Sequence, residues 1–336
     1  MRVAVIGAGG WGTALSIAAA RAGREVRLWS RSAAAAEEIN ARRVNSAYLE
    51  GHAVPEGVRA TTDAGEALRG AGMVVLAAPS HATRGVLEGL RGEFEPGAVV
   101  VSATKGVEVE TGRRISEVVA EVLGRDAASR FVCLSGPSFA REVAAGQPTA
   151  VVAASDDEAL GRAVQQALSA GNFRVYTNPD VVGTELGGAS KNVMALAAGM
   201  VAGLGLGANS VAALVTRGLA EMTRLALAEG ARPETLMGLA GLGDLVLTCT
   251  GGLSRNRHVG HELGRGHSLA DVLAGMREVA EGVRTARALR LLAARRGVEM
   301  PIAEEVHAVL YDGKAARAAV ESLMTRPLKG EADSSQ

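Results

Sequence analysis

Lysine is the scarce base of this chain. Of its 36 basic side chains, only Lys105, Lys191, Lys314 and Lys329 are lysines. The scarcity matters because a desolvated ammonium can release its proton near neutral pH, whereas a guanidinium cannot. Lys191 lies in GGASKN, residues 187–192, and opens a run from Asn192 to Thr216 without a charged residue. Packing at the start of such an apolar helix would strip water from the amine and bring its pKa toward the range of a general base. A lysine that buries its stem and snorkels its head to solvent reads equally well from these residues. Lys105 is the only lysine in the first 178 residues and follows the apolar run 98–102, within TKG at 104–106. In open α/β sheets, ligands bind beyond the carboxyl ends of parallel strands, which is where this lysine would stand. Gly136, Pro137 and Ser138 offer a tight turn, bare amides and a hydroxyl in a similar place. Ser254, Arg255 and Asn256 set hydroxyl, guanidinium and amide in a row, soon after the glycine turn 241–243 and Asp244. That trio suits a phosphate. A solvated helix cap would use the same residues and is the favoured account when they are read alone.

The histidines invite a metal without supporting one. His258, His261 and His267 flank Glu262, but their intervals do not match the one-face helical arrangement of a zinc hydrolase. No metal is expected. His81 follows the strand-like run 73–78 and could line a cleft, with nothing to fix a role.

The elements that position these groups begin at the first residue. Residues 1–6 (MRVAVI) form a β-branched run, and residues 13–22 are strong helix formers ending at Gly23. Between them Gly7, Gly9 and Gly12 stand at G-x-G-x-x-G spacing, with Gly10 and Trp11 inside the turn. Gly7 permits the tight turn, Gly9 lets backbone approach a pyrophosphate, and Gly12 lets the helix pack on the strand. The helix N-terminus offers unpaired N–H groups and a partial positive charge to the phosphates. This reads as a dinucleotide site. The second strand, 25–29, is followed by Ser30 and Arg31 rather than by the carboxylate that binds a ribose 2′-hydroxyl in NAD-specific sites. Arg31 could pair with a 2′-phosphate, so NADPH is the favoured cofactor and NADH an accepted one; a solvated surface arginine is the bland alternative.

At 336 residues the chain calls for two domains, placed at 1–178 and 179–336. In the first, apolar runs at 73–78, 98–102, 131–134, 149–153 and 173–176 alternate with helical segments, among them 33–43 and a short helix capped near Asp63. Continuous apolar strands separated by helices indicate an α/β fold with a doubly wound, mostly parallel sheet of Rossmann type. From Val181 onward helical periodicity dominates, so the second domain is expected to be all-α, with the active site in the cleft between the two. The polar tail 330–336 should fray. Equal numbers of acidic and basic residues, 36 of each, and 3% aromatic content exclude a nucleic-acid or membrane-surface protein. Cys133 and Cys249 lie in apolar segments without disulfide or metal spacing, which suits reduced thiols and a cytoplasmic location. The uncharged run 192–216 is long enough for a bilayer and has Gly199 and Gly203 at helix-dimer spacing. Its glycine-rich segment 203–209 should break it, so a buried pair of helices is expected instead of a membrane span.

In combination these motifs resemble one family, the bacterial NAD(P)-dependent glycerol-3-phosphate dehydrogenases. The matching pieces are GAGGWGTAL (7–15), ATKGV (103–107), SGPSFA (135–140), GQPTA (146–150), Lys191-Asn192, GLGD (241–244), SRN (254–256) and VAEG (279–282). They occur in family order across nearly the whole chain. Gly10 is one departure, since relatives commonly carry serine there. The resemblance implies that Lys191 is the proton acceptor for the substrate's secondary hydroxyl and that Lys105 touches both substrate and cofactor. It implies that Gly136, Ser138, Asp244, Ser254, Arg255 and Asn256 hold glycerol 3-phosphate or dihydroxyacetone phosphate. Gly10, Trp11, Arg31, Ala140, Arg255, Val279 and Glu281 would complete the nucleotide site begun by Gly7, Gly9 and Gly12. The implied role is to supply glycerol 3-phosphate for phospholipid synthesis. A homodimer is expected from the apolar helical half. The 6-phosphogluconate type of dehydrogenase is the nearest rival, but it separates its lysine and asparagine by two residues. A nicotinamide-sensing regulator would need a partner surface that the neutral charge balance does not offer.

Overall fold

The computed structural model describes residues 1–276, 279–328 and 330–331. Eight strands form one sheet: β1 (Arg2–Ile6), β2 (Glu25–Trp29), β3 (Val58–Thr61), β4 (Ala71–Leu76), β5 (Val99–Ser102), β6 (Phe131–Ser135), β7 (Thr149–Ala154) and β8 (Phe173–Asn178). Their order is β3-β2-β1-β4-β5-β6-β7-β8, and every pairing is parallel except β6 with β7. The chain therefore reverses direction across the sheet between β2 and β4, on either side of β1. A doubly wound sheet binds its ligands at such a switch point.

Alternation along the strands explains their unbroken apolar character. In β1, Val3 and Val5 pack into the core on one face while Ala4 and Ile6 pack into the core on the other. Both faces are covered by helices, so neither set of positions can be polar. β6, β7 and β8 run one or two residues past the expected runs, β2 coincides with its run, β1 and β5 start one residue later, and β4 lies two residues earlier than expected. β3 was not expected at all: its four residues, VRAT, interrupt two apolar positions with an exposed arginine, as an edge strand tolerates.

From Val181 to the last described residue all regular elements are helical. Asp180 caps the first of these helices, Val181–Gly203, by accepting from the Gly183 N–H at 2.8 Å. The helix begins ten residues before Lys191, so the lysine stands mid-helix, not at a helix start as the uncharged run suggested. Gly187 and Gly188 do not end the helix because tertiary contacts require them. A Cβ at Gly187 would come within 2.7 Å of the Ala240 carbonyl oxygen, and one at Gly188 within 2.6 Å of Ser135 Oγ. The helix stops at Gly203 and a second runs from Ala208 to Ala228, which is the break expected of the glycine-rich segment. Gly199 and Gly203 are used inside the chain: any Cβ there would overlap the carbonyls of Arg257 and His261 on the helix Arg255–Gly264. Gly260 and Gly264 return the fit against Leu196 and Met200. No helix among the described residues is long and apolar enough to cross a membrane. Of the tail 330–336, residues 332–336 lie outside the described residues, as does Lys329.

Candidate active site

The glycine turn is built for close approach on one side and open on the other. Gly7 takes φ +116° with its Cα against the Ala77 backbone, and a Cβ on Gly12 would overlap the Gly7 carbonyl. A Cβ on Gly9 would meet nothing within 4 Å. Buried Asn45 holds the turn, donating to Ala8 O at 2.9 Å and to Thr13 Oγ1 at 2.8 Å. The helix that follows, Gly10–Arg21, has no side-chain cap and no acidic residue in its first turn. Its orphan N–H groups and positive end are available to an anion. Trp11 Nε1 is buried without a hydrogen-bond partner among the described residues. These features fit a dinucleotide: Gly9 leaves the cradle unfilled, and the helix end supplies the charge complement. Arg31 is exposed just beyond β2, and Ala140 opens the helix Ala140–Ala144 after β6.

Two lysines share one carboxylate across the seam between the sheet and the helices. Lys105, after β5, points its Nζ at Asp244 Oδ2 (2.9 Å), the Gly136 carbonyl (2.7 Å) and Ser138 Oγ (3.2 Å). It also lies 5.7 Å from the centroid of the Trp11 ring, a cation–π distance that links this cluster to the glycine turn. Lys191 donates to Asp244 Oδ1 at 2.6 Å and to Thr248 Oγ1 at 3.0 Å. Asp244 is fully buried and Lys191 is 6% exposed. Burial pushes the Lys191 amine down to about 8; the Asp244 carboxylate opposes the shift and the Lys105 charge adds to it. The snorkelling alternative is therefore replaced by an enclosed, partnered amine. Local geometry explains the positions. A wide helical turn at Leu239–Gly243 delivers Asp244 to the start of the helix Asp244–Thr250, and Thr248 follows one turn later on the same face. Gly136, at φ +127°, bends the chain after β6 so that its carbonyl meets Lys105.

The remaining candidates surround this cluster. Asn192 donates to the Lys105 carbonyl at 3.0 Å and accepts from Asn256 at 2.9 Å, and Asn256 Oδ1 accepts from the Gly282 N–H at 2.9 Å. Ser254 caps the helix Arg255–Gly264 by accepting from the Arg257 N–H. Of the trio Ser254, Arg255 and Asn256, the hydroxyl and amide serve internal bonds; Arg255 stands at the helix start with its residue exposed. Glu281 begins the helix Glu281–Arg296 and reaches Ser80, and Val279 is partly exposed just before it. Ser80 lies in the polar stretch 79–84 at the ligand end of β4, where the sequence fixes no role for it, and neither Thr248 nor the bonding of Asn192 stands out from the sequence. The four-residue interval from Asp244 was a usable signal for Thr248. Among the described residues no group of three or more His, Cys, Asp and Glu side chains could hold a metal ion.

A dinucleotide turn at a sheet's switch point, facing a buried lysine–carboxylate pair from a helical half, defines a Rossmann-type dehydrogenase with a separate catalytic lobe. The comparisons with known proteins agree. Residues 2–161 match the model described as NAD-dependent glycerol-3-phosphate dehydrogenase N-terminus, and residues 180–321 match the corresponding C-terminus. The chain is 56% identical to glycerol-3-phosphate dehydrogenase (NAD(P)+) of Geobacter sulfurreducens across 98% of each protein. It is 55% identical to that of Koribacter versatilis across 97% of each. The crystal structure of glycerol-3-phosphate dehydrogenase from Coxiella burnetii superposes with a TM-score of 0.92 at 39% identity, covering 97% of this chain and 99% of that one. The chain belongs to the NAD-dependent glycerol-3-phosphate dehydrogenase family.

Proposed function

We infer that the protein is an NAD(P)-dependent sn-glycerol-3-phosphate dehydrogenase that interconverts glycerol 3-phosphate and dihydroxyacetone phosphate. One observation carries the assignment of roles: a buried lysine amine, shifted to about 8, bonded to a carboxylate that a second lysine also holds. NAD(P) held in the glycine-turn cradle would supply the hydride chemistry at carbon 2, and the protein supplies alignment, charge and the proton path. Neutral Lys191 takes the proton of the substrate's secondary hydroxyl during oxidation. In reduction its ammonium polarises the carbonyl and protonates the forming alkoxide. Asp244 keeps Lys191 Nζ in place through either protonation state. Lys105, with Gly136 and Ser138, positions the triose beside the Trp11 end of the cofactor cradle. Arg255, Ser254 and Asn256 form the phosphate end, with the exposed guanidinium as the charge partner and the other two fixing the helix start that carries it.

Gly7, Gly9, Gly10, Trp11 and Gly12 would hold the cofactor diphosphate, with Ala140, Val279 and Glu281 completing the nucleotide site. Arg31 supports NADPH as the preferred form, since it stands where a 2′-phosphate would need a cation. The domain division falls at 178/179, between β8 and the cap of the catalytic helix. The protein is read as a cytoplasmic homodimer that supplies glycerol 3-phosphate for phospholipid synthesis. Oxidation of NADPH by dihydroxyacetone phosphate, followed at the reduced-nicotinamide absorbance, tests the activity; no turnover with this substrate would refute it. Sedimentation of the purified protein tests the dimer, and a monomer at micromolar concentration would exclude it.

A further inference from the structure

The helix Ser80–Leu90, after β4, starts behind Pro79 with no side-chain cap and no acidic residue in its own first turn. Its N-terminus is capped from the other half of the molecule. Glu281 accepts from the Ser80 backbone N–H at 3.1 Å through Oε1 and from Ser80 Oγ at 2.6 Å through Oε2. Ser80 is 2% exposed, so these bonds are shielded from water. The neighbouring turn is fitted to the pair: a Cβ on Gly106 would come 2.8 Å from both Cβ and Oγ of Ser80, and 3.2 Å from Glu281 Oε2. Gly106 directly follows Lys105. On the far side, the Lys105 carbonyl is tied through Asn192 and Asn256 to the Gly282 N–H, one residue after Glu281. Lys105, Asn192, Asn256, Glu281 and Ser80 thus close a ring of contacts that crosses from the sheet to the helices twice, at Lys105–Asn192 and at Ser80–Glu281.

We propose that Ser80 is a positioning residue that fixes the Glu281 carboxylate at the cleft, so that dinucleotide affinity depends on Ser80 acting through Glu281. The proposal rests on the reading of Glu281 as a dinucleotide contact. Two of the carboxylate's roughly four acceptor sites are used by Ser80, and the others remain for donors of the cofactor. Without the hydroxyl, Glu281 keeps one bond to a backbone amide and gains rotamer freedom that binding must then remove.

The test measures NADPH dissociation constants on the apoprotein by the fluorescence of the bound dihydronicotinamide, with kcat at saturating cofactor recorded in parallel. Ser80→Ala is expected to weaken NADPH about tenfold, the size of one hydrogen bond to a charged group, while kcat stays within about twofold. Ser80→Thr, which keeps the hydroxyl, restores most of the affinity. Glu281→Ala weakens NADPH at least as much, and adding Ser80→Ala to it has no further effect. Unchanged binding in Ser80→Ala, or equal losses with and without Glu281, overturns the positioning role and leaves the Glu281 contact standing. Wild-type affinity in Glu281→Ala overturns the contact itself and the proposal with it. Should Ser80→Ala fail to fold, Gly106→Ala displaces the same hydroxyl by steric overlap and is expected to reproduce the loss; wild-type affinity there counts against the proposal.

Discussion

Two buried carboxylates tie the sheet to the helices, and they differ in the bases they meet. Glu185, on the helix Val181–Gly203 that also carries Lys191, accepts from Arg114 at 3.1 Å and from the N–H and Oγ of Ser116 at 2.8 and 2.6 Å. Asp244, across the same seam, meets Lys105 and Lys191. Burial raises the Glu185 pKa in spite of Arg114 and Ser116, so its charge gains less from its partners than it loses to desolvation. Arg114 cannot release a proton, and that pair is a fixed tie. Lys191 can, because burial has brought its pKa to about 8. A shared architecture of enclosed ion pairs thus yields a fixed staple in one place and, in the other, a pair whose base can release a proton, as the proposed role of Lys191 requires; the identity of the base makes the difference.

The sharpest way to break this comparison is to give the Asp244 site an arginine. Lys191→Arg keeps the charge but cannot give up a proton near neutral pH, and Lys191→Met removes both the charge and the titrating group. Each is expected to lower kcat by about 10³-fold or more while NADPH binding persists. Near-normal turnover by Lys191→Arg would sink the proton-transfer role. At the staple the effect should move from rate to stability. Glu185→Ala removes the acceptor of the Ser116 N–H and hydroxyl and leaves the partly buried Arg114 with Glu117 as its carboxylate, and is expected to cost about 1–3 kcal/mol in urea unfolding. Its folded fraction should turn over at close to the normal rate. Glu185→Gln should cost far less, because the charge itself was penalised. A kcat loss in Glu185→Gln comparable to that of Lys191→Met would erase the distinction between the two sites.

A pH profile sharpens the same contrast without mutation. Oxidation of glycerol 3-phosphate needs the neutral amine, so its rate should rise through about pH 8 and level off above it. Reduction of dihydroxyacetone phosphate needs the ammonium and should decline over the same interval. A midpoint above about pH 10 in both directions would mean that burial does not lower the Lys191 amine in the working enzyme, and a rate without any pH dependence between about 7 and 11 would remove Lys191 as the titrating group. The smallest effect is expected at the cofactor's far end. Arg31→Ala should raise the KM for NADPH about tenfold and leave that for NADH nearly unchanged, since only the former carries a 2′-phosphate. Equal changes for both cofactors would remove Arg31 as the reader of that phosphate.

The parts of the fold set by near neighbours were legible in the sequence. The glycine turn and β1 and β2 on either side of its helix form one continuous segment, in which Gly7 and Gly12 reveal their roles by spacing alone. β3 was not legible, because four residues with a charge among them carry too little pattern to stand out from a loop. The start of the helix Val181–Gly203 was misplaced because the loss of charge after Lys191 reads as the beginning of a buried helix, whereas the helix begins ten residues earlier behind the Asp180 cap. Gly187 and Gly188 have poor intrinsic helix propensity, but the Ala240 backbone and Ser135 occupy the space their side chains would need. Gly199 and Gly203 showed the right spacing for a close helix contact, and the sequence left open whether that partner was another chain. The partner is the helix Arg255–Gly264 of this chain.

By itself the sequence determined the dinucleotide turn, the alternation of strands and helices, and the rarity of lysine that drew attention to Lys105 and Lys191. These follow from local spacing and composition, which survive without a fold. Only the tertiary structure decided that both lysines meet Asp244, which lies 139 residues from one and 53 from the other. It also decided that the amine is buried among charges, not extended to water. The pKa of Lys191 depends on how much solvent is excluded and on which charges stand within a few ångströms, and folding alone fixes both.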